Sequence, residues 1–230
     1  MSTEHLVEEI VASGVIAVLP LERGEDVLPI AQAIAEAGGS AIELIPASLD
    51  LLDAIGQART RLGRRLFLGV GGIVGGDAAW EVIRAGAAFV GSPHLDPEVL
   101  RFCREEDVPA LPSVLTPTEM AHAWDLGAGL VKIYPAGAMG PEYVRLALQG
   151  LPPLRAVAGG GVPVERVGEF LRAGVAALSV EIEIAPGMSE DAVQELGRCV
   201  RAYVEAVQRA RDQGVGPDTA NRSAEEPDVR

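Results

Sequence analysis

The chain has 230 residues, 48% of them hydrophobic, and a formal charge of −14 from 33 acidic and 19 basic side chains. That length and apolar fraction suit one domain with one large core. The acidic balance excludes nucleic acid and anionic membrane surfaces as main partners; with no basic leader and no apolar run of membrane-spanning length, a soluble cytoplasmic protein is expected.

Short apolar runs alternate with amphipathic stretches throughout. In chain order the periodicity predicts a leading helix at 4–12, strand 15–19, helix 26–37, strand 41–45, helix 49–62, strand 66–70, helix 77–85, strand 88–91 and helix 97–106. The second half continues with strand 110–115, helix 117–126, strand 130–134, helix 141–148, strand 154–158, helix 164–173, strand 177–182 and helix 190–211. Pro97, Pro117 and Pro141 stand near helix starts, where a missing N–H costs little. Gly38, Gly86, Gly127 and Gly174 each close a helix just before the next strand. Eight strands alternating with helices in ~20–25-residue units predict a (β/α)8 TIM barrel with an extra N-terminal helix, spanning residues 1–211 as a single domain. A doubly wound open sheet is the alternative, but it usually has fewer strands at this length. Residues 212–230 are polar and aperiodic and read as a disordered tail.

Lys132 is the only lysine, against eighteen arginines, and it lies in the apolar run Leu130-Val131-Lys132-Ile133-Tyr134-Pro135. An amine that can lose its proton and attack a carbonyl does a job that a guanidinium cannot. A free lysine is under about one part in a thousand neutral at pH 7, and apolar surroundings favour the neutral, nucleophilic form. A leftover surface lysine would sit on a polar face, and this one does not.

In a barrel, chemistry collects at the C-terminal ends of strands. The other charges inside apolar runs are Glu43 in Ile42-Glu43-Leu44-Ile45 and the pair Glu181 and Glu183 in Val180-Glu181-Ile182-Glu183. An interior carboxylate is costly unless paired or hydrogen-bonded. Glu43 and Lys132 therefore read as a salt bridge across the barrel, or as a Schiff-base nucleophile with its proton shuttle. Both can hold together, because a nearby carboxylate keeps the resting amine charged. Their tips are expected within one water of each other, ~3–6 Å.

Other candidates carry less. His5, His94 and His122 are scattered without paired spacing, so no metal set is expected. The glycine-rich stretch 71–76 resembles a phosphate cradle but lacks a P-loop lysine. Thr116, Thr118 and Glu119 suit a helix start better than a substrate contact. Arg61, Arg64 and Arg65 read as a solvated face. Cys103 and Cys199 fall on predicted helices and are expected as buried thiols in a reducing compartment.

Taken in order, Glu43 in Ile42-Glu43-Leu44, Gly69-Val70-Gly71, Ser92-Pro93, Pro112, Thr116-Pro117-Thr118-Glu119, Lys132 in Val131-Lys132-Ile133-Tyr134-Pro135-Ala136, and Gly160-Gly161-Val162 resemble the KDPG/KHG aldolases. These cleave 2-keto-3-deoxy-6-phosphogluconate and 4-hydroxy-2-oxoglutarate. The resemblance covers roughly residues 15–183. It implies a (β/α)8 barrel, often trimeric, running reversible aldol cleavage to pyruvate and an aldehyde with no metal and no cofactor. It also implies that Lys132 forms the imine, that Glu43 moves protons, and that Gly72, Pro93, Thr116, Gly160, Gly161 and Glu181 line the substrate site.

The departures point to a divergent member. The family's arginine after the strand-two glutamate falls at Ala47, its strand-three threonine at Gly72, and its strand-seven threonine at Gly159. Its strand-eight Gly-Gly-Ser, which helps to cradle phosphate, falls at Ser179-Val180-Glu181. A phosphate dianion about 5 Å from a carboxylate is repelled by roughly 6 kcal/mol at an effective dielectric near 20. An unphosphorylated keto acid is therefore the expected substrate. Two other readings stay open: a barrel that binds or regulates without this activity, and a keto-acid decarboxylase or dehydratase sharing the Lys–Glu pair.

Overall fold

A computed structural model describes residues 3–48, 51–63, 66–151, 154–183 and 189–215. Eight strands run in parallel: β1 (Val15–Leu21), β2 (Ala41–Pro46), β3 (Phe67–Val70), β4 (Val90–Ser92), β5 (Ala110–Val114), β6 (Val131–Ile133), β7 (Ala156–Ala158) and β8 (Ala177–Glu181). Each pairs with its sequence neighbour, and β8 closes on β1 with Val15 opposite Leu178 and Val18 opposite Glu181. Closure decides for the barrel over the open sheet.

The helices are α1 (Thr3–Ser13), α2 (Val27–Glu36), α3 (Leu52–Leu62), α4 (Gly76–Ala85), α5 (Pro97–Glu105), α6 (Pro117–Asp125), α7 (Ala136–Met139), α8 (Pro141–Leu148), α9 (Val167–Arg172) and α10 (Glu190–Asp212). Pro97, Pro117 and Pro141 are the first residues of α5, α6 and α8. The four junction glycines all hold positive φ, a conformation that closes a helix without a Cβ penalty. The four-residue α7, directly after β6, was not legible in the periodicity. The predicted start of the third helix, residues 49–50, lies outside the described residues, as do Arg64, Arg65 and most of the expected tail (216–230).

Strand alternation sorts side chains into an inner set and a sheath set. Ile16, Ala41, Phe67, Phe89, Leu111, Leu130, Val157 and Ala177 form one inner cluster with Leu6, Val7 and Ile10 of α1. Helix α1 thus plugs the N-terminal end of the barrel. The intervening residues Ala17, Ile42, Leu68, Val90, Val131, Ala158 and Leu178 belong to the larger cluster under the surrounding helices. Phe89 is fully buried, and a Cβ on Gly69 would lie 2.4 Å from its ring, so glycine is required where that ring crosses the barrel. The floor is filled and apolar, which leaves the C-terminal end for polar groups.

Several strands are shorter than their apolar runs. Barrel strands are staggered, so a terminal residue can have a partner on one side only. Tyr134, one residue past β6, still donates its N–H to the Val114 carbonyl. Cys103 is buried and Cys199 half-buried, both free thiols; burial pushes the Cys103 thiol up to about 12.

Candidate active site

Counting inward positions upward from the floor gives the next layer: Val18, Glu43, Gly69, Gly91, Ser113, Lys132, Gly159 and Ser179. Two of these are charged. Lys132 Nζ donates to Glu43 Oε2 at 2.6 Å, with the two side chains only 8% and 3% exposed. The pair meets directly rather than through a water, closer than the sequence spacing suggested. A buried ion pair survives only with good geometry, and removing one partner strands the other charge.

The sequence makes room for this pair with glycine. A Cβ at Gly71 would lie 2.4 Å from Glu43 Oε1, and one at Gly91 would lie 2.2 Å from the same oxygen. Both glycines were missed as site residues. The signal that finds them is period two: 67, 69 and 71 face inward together, as do 89 and 91. On the other wall, a Cβ at Gly159 would lie 3.3 Å from Lys132 Cδ and 3.1 Å from Ser179 Cβ. Ser179 is 1% exposed, and its hydroxyl has no hydrogen-bond partner. Gly159 thus presents no side chain to the lysine stem, while a buried hydroxyl stands beside it at Ser179. Ser179 was also missed as a site residue.

All the remaining candidates lie at the same end of the barrel. Gly72 follows β3 at φ +75° and Pro93 follows β4, both exposed. Beside Pro93, the buried Ser92 hydroxyl donates to the His94 carbonyl at 2.8 Å, and His94 itself is exposed. Asp96 joins two rim loops, accepting from Gly75 N–H at 2.9 Å and Glu98 N–H at 3.0 Å. Gly160 and Gly161 follow β7, and both donate backbone N–H groups to the carboxylate of Glu181 at the end of β8. β8 ends at Glu181, so Glu183 lies beyond the strand. Glu181 is not a bare charge at the mouth, since two amides hold it.

Thr116, expected among the substrate contacts, is engaged as a helix cap. Its hydroxyl accepts from Glu119 N–H at 3.3 Å and lies 2.9 Å from Glu119 Oε2, which also accepts from the N–H groups of Thr116 and Leu115. Those backbone N–H groups, Thr116 first, hold the Glu119 carboxyl below its ordinary 4.5. A depressed carboxylate adds stability above its unfolded pKa and loses it as pH falls through the folded value. Thr116→Ala is therefore expected to cost ~1 kcal/mol at pH 7, less as the pH drops below about 4, measured by urea unfolding at each pH. An unchanged midpoint at pH 7 would argue against the cap.

Among the described residues, no group of three or more His, Cys, Asp or Glu side chains is placed to hold a metal ion. None of the helices there is long and apolar enough to cross a membrane.

A closed parallel barrel with one buried amine–carboxylate pair below its C-terminal rim defines a scaffold suited to imine chemistry. Comparison with known proteins places it more narrowly. Residues 7–199 match the family model described as KDPG and KHG aldolase. The 2-dehydro-3-deoxy-phosphogluconate aldolase of Treponema pallidum is 32% identical over 158 residues, covering 68% of this chain and 75% of that protein. The 2-dehydro-3-deoxy-6-phosphogalactonate aldolase of Escherichia coli is 29% identical over 196 residues, covering 84% and 96%. A solved structure, the 4-hydroxy-2-oxoglutarate/2-dehydro-3-deoxyphosphogluconate aldolase from TTHB1, superposes with a TM-score of 0.74 at 29% identity, over 86% of this chain and 98% of that one. The chain belongs to the KDPG and KHG aldolase family.

Proposed function

We propose that the protein is a class I aldolase, a lyase that cleaves or forms a 2-keto acid through an imine on Lys132, with pyruvate as one partner and an aldehyde as the other. The observation that carries this reading is the 2.6 Å Lys132–Glu43 contact inside the barrel. A charged amine is not a nucleophile, and the hydrogen bond is the path for its proton. Glu43 takes that proton, and the free amine attacks the keto carbon to give a carbinolamine. Glu43 then returns the proton to the departing hydroxyl, and water leaves a protonated imine.

That imine is an electron sink. The Glu43 carboxylate removes the proton from the substrate hydroxyl. The carbon–carbon bond breaks towards the imine, releasing an aldehyde and leaving an enamine. Protonation of the enamine carbon and hydrolysis return pyruvate and the amine. One carboxylate serves as base and acid in turn, and the direct hydrogen bond gives it that reach. The buried, unpartnered hydroxyl of Ser179 is available to the adduct beside the lysine stem. Gly72, Pro93, Gly160, Gly161 and Glu181 are read as the rim that receives the rest of the substrate.

We read the working form as a cytoplasmic homotrimer. Exposed Trp80, Trp124 and Leu146 are large apolar side chains suited to cover by neighbouring copies, and light scattering at three chain masses is the expected result. Activity is tested by incubating the protein with 2-keto acids bearing a 4-hydroxyl and following pyruvate with a coupled dehydrogenase. Equimolar pyruvate and aldehyde are expected. Carbon dioxide release, or loss of water without an aldehyde, would favour a decarboxylase or dehydratase instead.

A further inference from the structure

We infer that Glu181 is a built-in occupant of the anion cradle at the barrel mouth, and that it selects aldehyde partners ending in hydroxyl groups over those ending in phosphate. This rests on the aldolase reading above and names the half of the substrate that reading leaves open.

Gly160 and Gly161 hold φ of +82° and +77°, so two successive backbone N–H groups are presented at the end of β7. A side chain at Gly160 would also run into Pro135, whose Cα lies 2.8 Å from the Cβ position. Exposed successive amides of this kind receive an anion. Here the anion belongs to the protein: Glu181 Oε1 accepts from Gly160 at 2.9 Å and Oε2 from Gly161 at 3.3 Å. Each oxygen has one amide. The cradle lies one residue beyond Gly159, which packs against the stem of Lys132.

A phosphate entering this cradle meets a tethered carboxylate already in place, and after displacing it would still face a like charge. No arginine among the described residues forms an ion pair with that carboxylate, and Arg198 is paired with Glu195. The adjoining groove, ≈ 260 Å³ and lined in part by Tyr134, Pro135, Gly160, Glu181 and Tyr203, contains no lysine or arginine. The Tyr203 hydroxyl is already donated to the Val162 carbonyl at 2.8 Å. What this groove offers is the remaining lone pairs of the Glu181 carboxylate. Substrate hydroxyls can donate to these; a phosphate dianion cannot.

The test pairs a binding measurement with turnover. Inorganic phosphate is titrated into wild type, Glu181→Ser and Glu181→Gln by calorimetry, and kcat/KM is compared for 2-keto-3-deoxy-6-phosphogluconate and its unphosphorylated counterpart. Wild type is expected to prefer the unphosphorylated compound by about tenfold or more. Glu181→Ser should bind phosphate about tenfold more tightly than wild type and move the preference towards the phosphorylated compound by a similar factor. Glu181→Gln, which loses the charge but keeps an acceptor, should fall between them. Equal phosphate affinity in wild type and Glu181→Ser, or a tenfold wild-type preference for the phosphorylated substrate, would overturn the inference. Absence of any pyruvate adduct on Lys132 would overturn the aldolase reading instead, and the phosphate titration, which needs no turnover, would still report on the cradle.

Discussion

Lys132→Arg is expected to reduce aldol turnover to background while leaving a folded protein. Arginine keeps a positive charge opposite Glu43, so the buried carboxylate retains a partner. It cannot lose its proton at any working pH and cannot form an imine. The variant therefore separates the charge of residue 132 from its nucleophilicity. Lys132→Ala is less informative, because it leaves Glu43 buried without its cation and can cost ~3–5 kcal/mol of stability. Retained turnover in a folded Lys132→Arg protein would place the nucleophile elsewhere. The measurements are kcat by coupled pyruvate assay and the thermal midpoint on the same sample.

Loss of the proton carrier should be almost as damaging. Glu43→Gln preserves volume and a hydrogen-bond acceptor for Lys132 but cannot take the ammonium proton, so kcat is expected to fall by ~10²–10⁴. It also removes the counter-charge of a buried amine, a loss of up to ~3–5 kcal/mol, so kcat is read on protein shown to be folded. The glycines around Glu43 supply an independent version of the same test. A methyl at Gly91 would sit 2.2 Å from Glu43 Oε1, so Gly91→Ala must push the carboxylate off the lysine without changing its chemistry. A large loss of kcat is expected there too, since small displacements of a catalytic group are costly. If Glu43→Gln keeps kcat within about threefold of wild type, the proton shuttle is misassigned and the pair is a structural salt bridge.

How much of this could be read from the chain follows the kind of physics involved. The barrel was legible because the apolar strand run repeats eight times and the helix-closing glycine four times, and each repeat supports the others. Lys132 and Glu43 were legible because a charge inside an apolar strand is an expensive exception that needs a reason. Thr116 was legible as a cap from Thr-Pro-Thr-Glu alone, and its inclusion among the substrate contacts came only from the family resemblance. Gly71, Gly91 and Gly159 were not recognised as site residues: period two puts them on the inward face, but an absent side chain does not show what fills the space it leaves. Their role emerges only when Glu43 or Lys132 is seen filling the space. The role of Glu181 was half legible. Its position at a strand end could be read, but not its bonds to Gly160 and Gly161, because those depend on how the β7 and β8 ends lie across the closed barrel. Strand limits shifted by a residue or two because stagger, not sequence, decides where the last ladder bond falls.

The proposed reaction turns on a covalent bond between Lys132 and pyruvate, and that bond can be trapped directly. The protein is incubated with pyruvate and sodium borohydride, digested, and mapped by mass spectrometry. A single reduced adduct is expected on the peptide carrying Lys132, absent from Lys132→Arg and absent without pyruvate. With one lysine in the chain, the α-amino group is the other amine able to compete, and the peptide map separates the two. An untouched Lys132 under conditions that label a free amine would contradict the account.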